Sequence, residues 1–185
     1  GGRWKEDFDR AAEGGQNAHR LSVEWSRIQP TPDTWDEDAL ERYRAMLRGL
    51  RERGMTPMVT LHHFTDPLWL FDRCGWENDE VVALFEKFVR KTVDALKEYC
   101  TLWCTINEPN VVAYCGYWGG WHAPGVKDKA TAFQVFHHLM VAHGRAVRAM
   151  RAIRPNARFG ICPNIAMQYP ARPQNQGDRF AAAEK

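Results

Sequence analysis

Apolar positions along this chain alternate between helical spacing and short unbroken runs. Residues 3–15 carry Trp4, Phe8, Ala11 and Ala12 at helical spacing, and Gly14-Gly15 closes the stretch. Residues 17–23 (NAHRLSV) read as a strand through Ala18, Leu21 and Val23. Pro30 and Pro32 then enforce a loop. Asp36 is placed to cap a helix whose Leu40, Tyr43, Met46, Leu47 and Leu50 share one face, and Gly54 ends it. Residues 56–62 (TPMVTLH) form the second strand, and Pro67 opens an aromatic loop. Asn78 or Asp79 caps the next helix, which buries Val82, Phe85, Phe88, Val89, Val93 and Leu96 and runs to about Tyr99. Residues 101–107 give the third strand, followed by an aromatic, glycine-rich excursion over 114–125. A long helix spans 131–154, with Phe133, Phe136, Leu139, Met140, Val147, Met150 and Ile153 apolar and Pro155-Asn156 as its stop. Residues 158–163 are a fourth strand, and 178–185 begin a further helix.

Strict alternation of helix and strand predicts an α/β fold of parallel βαβ units with right-handed crossovers. Loops after the strands are long and aromatic, and those before them are short. That asymmetry predicts a binding face at the strands' C-terminal ends. Four strands do not close a barrel of this type, which needs eight, and as an open sheet they leave two edges unpaired. The expected architecture is therefore a partial (β/α)8 TIM barrel, with residues 1–185 forming one domain truncated at both ends. No linker or repeat divides it.

Composition narrows the function classes. Apolar residues are 44%, charged residues 26% and the net charge is +2 with both signs mixed, which argues against nucleic-acid or membrane partners. The start, Arg3-Trp4-Lys5-Glu6-Asp7, does not resemble a signal peptide. The five scattered cysteines include no C-x-x-C pair, so neither a disulfide framework nor a zinc site is expected, and a cytoplasmic setting is. An aromatic content of 12% fills a large core or lines a site that stacks flat ligands such as sugars.

The densest chemistry lies in residues 101–110, TLWCTINEPN. Pro109 ends strand pairing and biases Glu108 toward an extended backbone. Glu108 is expected at the C-terminal rim of a buried strand, walled by Trp103, Ile106 and later aromatics. There desolvation lets a carboxyl hold a proton and pass it to a leaving oxygen. The bland alternative is a glutamate that caps a helix or pairs with an arginine. Arg20, expected inside a buried strand, is either one half of a structural ion pair or the holder of an ionised carboxylate. His62 and His63 are adjacent and point to opposite faces, so one of them turns inward toward ligand hydroxyls. Asn107 can both donate to and accept from neighbouring hydroxyls. Asn164 does likewise or simply forms a turn. His137, His138 and His143 read as packing residues of the long helix. Trp118 and Trp121 form either a sugar-stacking wall or a packed loop.

These motifs resemble glycoside hydrolase family 1, the β-glucosidase family. The resemblance is carried by residues 17–30 (NAHRLSVEWSRIQP), 60–70 (TLHHFTDPLWL), 105–110 (TINEPN) and 137–147 (HHLMVAHGRAV). It covers about the second to fifth strands of that family's barrel. It implies retaining hydrolysis of β-glycosides or oligosaccharides by two glutamates about 5–5.5 Å apart, with no metal or cofactor. By resemblance Glu108 matches the acid/base, Asn107 the contact to the sugar 2-hydroxyl, His63 the glycone-binding histidine and Arg20 the partner of the nucleophile. Phe64 departs from the tryptophan common in the family, which removes an indole N–H donor. A Thr-Glu-Asn-Gly-like nucleophile motif is missing from the chain, as are the first-strand glutamine and the late tryptophan and glutamate of the sugar site. Two readings follow: a glycosidase piece carrying the acid/base half, or a half barrel that binds sugar or acts as a scaffold and self-associates through its open edges. Asn-Glu-Pro also recurs in cellulase-like and mannanase-like barrels, but the first two motifs argue against those.

Overall fold

The computed structural model describes residues 2–183. Helix α1 (Trp4–Glu13) leads into β1 (Ala18–Ser22), the short α2 (Trp25–Ile28) and α3 (Glu37–Glu52). Then come β2 (Thr56–His62), α4 (Leu68–Arg73), α5 (Glu80–Leu96) and β3 (Leu102–Asn107). A single turn, α6 (Pro109–Val111), runs into a π-helical stretch, Val112–Trp118, followed by α7 (Lys129–Ile153), β4 (Arg158–Cys162) and α8 (Gln176–Ala183). The four strands pair in parallel in the order β1-β2-β3-β4.

The long helices start where a side chain supplies the missing acceptor. Asp36 Oδ1 accepts from Ala39 N at 2.8 Å, and Asp128 Oδ2 accepts from Thr131 N at 2.6 Å. At α5 the contact is made by Asn78, whose Oδ1 accepts from Glu80 N at 2.9 Å. The excursion expected over 114–125 is partly helical, because Val112–Trp118 continues the turn begun at Pro109. Residues 184 and 185 of the last expected helix lie outside the described residues.

Two rows of side chains show which face of the sheet is covered. Leu21, Val59, Trp103 and Phe159 are register partners; Val59 and Trp103 are fully buried and belong to the core cluster under the helices. The preceding row, Arg20, Met58, Leu102 and Arg158, has both arginines exposed and the two apolar residues only half-buried. One face is thus packed by helices, while the other, the inside of a barrel, is open at this row and along β1; further along β2 and β3 Thr60, Leu61, Cys104 and Thr105 are all buried. Arg20 was expected on a buried strand and is exposed, because β1 is an edge strand and its inner face is uncovered. Aromatic stacking ties the covered side together: Trp25 lies on Phe88 at 4.8 Å and meets Trp69 edge-on at 5.9 Å. No described helix is long and apolar enough to cross a membrane.

Candidate active site

Parallel strands deliver their last residues to one rim, and there the sheet presents its reactive groups. Glu108 sits immediately after β3. Its backbone is left-handed (φ 46°, ψ 59°) rather than extended as the sequence suggested. Long-range bonding explains the difference. Glu108 N donates to Cys162 O on β4 at 2.6 Å, while Glu108 O accepts from Val111 N at 2.9 Å and Val112 N at 3.0 Å. The chain must leave the sheet and begin a helix within one residue, with Pro109 in the first helical position. The Glu108 side chain is half-buried. The apolar wall expected from Trp103 and Ile106 is directed elsewhere, since both belong to the core cluster. Asn107, at 3% exposure, is buried just before it.

The paired histidines separate as alternation requires. His62 is buried against Trp76 and Phe85, with ring centroids 5.3 and 6.3 Å away. Its Nε2 lies 3.2 Å from Asp66 Oδ1, close but poorly aligned for a hydrogen bond. His63 turns the other way. Its Nδ1 and Ser22 Oγ share a hydrogen bond at 2.8 Å, and its ring meets Phe64 edge-on. Burial lowers the His63 pKa below the ordinary histidine value, and the Arg20 guanidinium pushes the same way. The Glu108 carboxylate opposes them, and His62 adds a further small depression. The imidazole therefore feels both candidate charged residues, so Arg20, His63 and Glu108 share one electrostatic neighbourhood. Arg20 Nη1 also donates to Cys162 Sγ at 3.4 Å. Among the described residues, Phe64 is the other non-glycine residue in the left-handed region (φ 70°).

The remaining candidates fall elsewhere. Asn164 is engaged through its backbone: Asn110 Nδ2 donates to its O at 2.7 Å, and its N donates to Asn110 Oδ1 at 3.1 Å. His138 is buried and its Nδ1–H donates to Trp76 O at 2.8 Å. His143 Nδ1–H donates to Thr105 Oγ1 at 2.7 Å, and the hydroxyl in turn donates a hydrogen bond to Gly160 O at 3.1 Å. Burial lowers the His143 pKa. His137 is exposed. Trp118 and Trp121 are exposed at 42% and 68% and gather round Tyr114, each ring 5.4 Å from it. They are not packed into the core. All five cysteines are free thiols, and burial pushes Cys100 up to about 11.

Sequence reasoning missed Ser22, Glu24, Thr65 and Asp66. Thr65 Oγ1 donates to Glu24 Oε1 at 2.8 Å, and Trp76 Nε1 donates to Asp66 Oδ2 at 3.0 Å. Asp66 had one signal: an acidic residue set closely among Phe64, Pro67, Leu68 and Trp69. The others are ordinary polar residues whose spacing of two matches only once β1 and β2 are laid side by side.

Chemically, the rim offers one carboxyl that can give or take a proton, an amide and a neutral imidazole for hydroxyl groups, and a guanidinium for an anion. Comparison with known proteins gives the family. β-Glucosidase A of Acetivibrio thermocellus is 35% identical over 183 residues, which cover 98% of this chain and 40% of that protein. The cytosolic β-glucosidase of Cavia porcellus is 34% identical over 146 residues, 77% of this chain and 31% of its own length. Among solved structures, the family 1 β-glucosidase from Thermotoga maritima superposes with a TM-score of 0.93 at 34% identity, covering 98% of this chain and 41% of that one. A β-glycosidase from Pyrococcus horikoshii gives a TM-score of 0.89 at 34% identity, with 98% and 43% covered. The chain thus spans about 40% of the length of β-glucosidase A, and its four strands correspond to part of a TIM barrel. Because the model of glycosyl hydrolase family 1 matches residues 2–185, nearly the whole sequence, the chain belongs to that family.

Proposed function

We propose that this chain carries the acid/base half of a retaining β-glucosidase. Glu108 gives its proton to the glycosidic oxygen as that bond breaks. As a carboxylate it then takes a proton from the water that releases the sugar. Asn107 and His63 hold glycone hydroxyls, and Arg20 faces the second catalytic carboxylate, which a further part of the barrel would supply. No cofactor enters the reaction. The observation that carries this reading is the left-handed backbone of Glu108. A non-glycine residue held there costs roughly 1–3 kcal/mol, persists only because the surrounding bonds hold it, and is of a kind that clusters at active sites. The names of the relatives support a β-glucoside as the substrate class, and the scattered free cysteines favour a cytoplasmic setting.

The test is complementation. The chain alone is expected to give negligible hydrolysis of an aryl β-glucoside, because no covalent intermediate can form without the nucleophile. Co-expression with the C-terminal remainder of a family barrel is expected to produce it. Family-like turnover by the chain alone would overturn the proposal.

The unpaired outer edges of β1 and β4 favour a second reading, a half barrel that binds sugar or acts as a scaffold and closes on another copy. Beside β1 lies a groove of about 950 Å³ whose lining mixes charged residues (Arg3, Asp7, Arg27) with apolar ones (Trp4, Tyr43, Met46). Tyr114, Trp118, Phe133 and Phe136 line an apolar groove of about 220 Å³, and Ile165, Met167 and Tyr169 after β4 are exposed. Light scattering during the complementation experiment separates the readings, since a tight homodimer of the lone chain belongs to the second.

A further inference from the structure

We propose that Asn110 is a positioning residue for Glu108. Its carboxamide continues the pairing of β3 with β4 past the point where the backbone leaves the sheet, and so holds the Glu108 turn against β4. This rests on the reading that Glu108 is the proton donor, and it adds the side chain that fixes where the Glu108 backbone stands.

The last register pair of the two strands is Asn107 with Cys162. One residue further, Glu108 N still donates to Cys162 O at 2.6 Å. A regular parallel ladder would go on with Asn164 N donating to Glu108 O and Asn110 N donating to Asn164 O. The first of these bonds is lost because Glu108 O turns to accept from Val111 N and Val112 N. The second is lost because Asn110 lies inside the helical turn of α6. The Asn110 side chain makes both bonds in their place. Its Nδ2 donates to Asn164 O at 2.7 Å, and its Oδ1 accepts from Asn164 N at 3.1 Å. A carboxamide carries the same donor and acceptor as a peptide unit. Its orientation is fixed by its partners, since a backbone carbonyl only accepts and a backbone N–H only donates.

The consequence concerns the left-handed conformation of Glu108, which its surroundings must hold. The bonds to Val111 and Val112 are internal to the turn, so the bond to Cys162 is what ties it to the sheet. Asn110 adds two more, and residues 108–110 and 162–164 are thereby joined by three hydrogen bonds. Asn110 is half-buried and Asn164 is exposed. Without the carboxamide, the backbone groups of Asn164 would turn to water at little cost to the fold. The segment after β4 would then be free to shift, and Cys162 O with it. The side chain therefore matters more for the place of Glu108 than for global stability.

The experiment is NMR of the full 185-residue chain without any sugar, reading amide hydrogen exchange and the φ-sensitive HN–Hα coupling of Glu108. Asn110→Ala is expected to speed exchange at the Glu108 amide about tenfold, the effect of one hydrogen bond of ordinary net strength, and to move the coupling away from its left-handed value. The amide of Val89, fully buried in the middle of α5, is expected to keep its wild-type rate. Asn110→Asp keeps the acceptor for Asn164 N and loses the donor, so both Glu108 readouts should fall between wild type and Asn110→Ala. It serves as the test, by the same criteria, should Asn110→Ala fail to fold. Wild-type exchange and coupling at Glu108 in the alanine variant would overturn the proposal, and so would a change at Glu108 that Val89 shares in full. Because no sugar is present, the outcome is independent of whether Glu108 gives up a proton, which kinetics on glycosides decide.

Discussion

Replacing Glu108 by Gln in the complemented enzyme is expected to lower turnover of β-glycosides with poor leaving groups by about 100- to 10,000-fold, the usual contribution of a positioned general acid. Glutamine keeps the size and the hydrogen-bonding reach of the side chain but has no proton to give at neutral pH. Its effect on folding is expected to be small because the side chain is half-buried and its backbone keeps the bonds to Cys162, Val111 and Val112. The loss should therefore depend on the substrate. Bond cleavage suffers most when the departing oxygen is strongly basic and least when it leaves readily as an anion. Kinetics across aryl glucosides of graded leaving-group acidity make the check. Equal losses across the series, or none, would remove Glu108 from the acid role.

Trp76→Ala is expected to destabilise the chain by about 3–5 kcal/mol, the usual cost of deleting a buried large aromatic side chain. That is a large part of the roughly 5–15 kcal/mol that holds a domain folded, so cooperative unfolding should weaken or vanish. Trp76 is fully buried, packs on His62 and Phe85, donates through Nε1 to Asp66 and accepts from His138 through its carbonyl. Trp76→Phe separates packing from polarity. It keeps most of the apolar volume but removes the donor to Asp66, whose side chain is 4% exposed, and should cost about 1–3 kcal/mol. Urea denaturation of both variants makes the check. Wild-type midpoints in both would show that the loop after His63 is not anchored through this ring.

Periodicity made the main helices readable because each is buried on one side, while β2 and β3 were readable as short apolar runs buried almost throughout. Val59 and Trp103 fall under the helix layer, and the stripes of α3 and α5 pack toward them. It failed where burial has no direction. Val112–Trp118 reads VAYCGYW, apolar all round and broken by a glycine, so no stripe marked it as helical. The conformation of Glu108 was beyond local rules as well. Pro109 biases its predecessor toward an extended backbone, but the carbonyl of Cys162, more than fifty residues away, fixes the turn. Arg20 shows the same limit from the other side, since nothing local announces that the inner face of a strand is uncovered. Arg20, His63, Asn107 and Glu108 could be named as candidates because their types suit the proposed chemistry and their motifs are familiar. Ser22, Glu24 and Thr65 became visible only through their spatial pairing.

The imidazole of His63 reports most directly on whether these groups form one site. Its titration midpoint can be followed by NMR in the wild type, Arg20→Met and Glu108→Gln. Losing the guanidinium should raise the midpoint, and losing the carboxylate should lower it, since the first disfavours the protonated ring and the second favours it. Opposite displacements of that sign are the predicted result. A midpoint indifferent to both replacements would contradict the account, because the arginine, the histidine and the glutamate would then not share a rim.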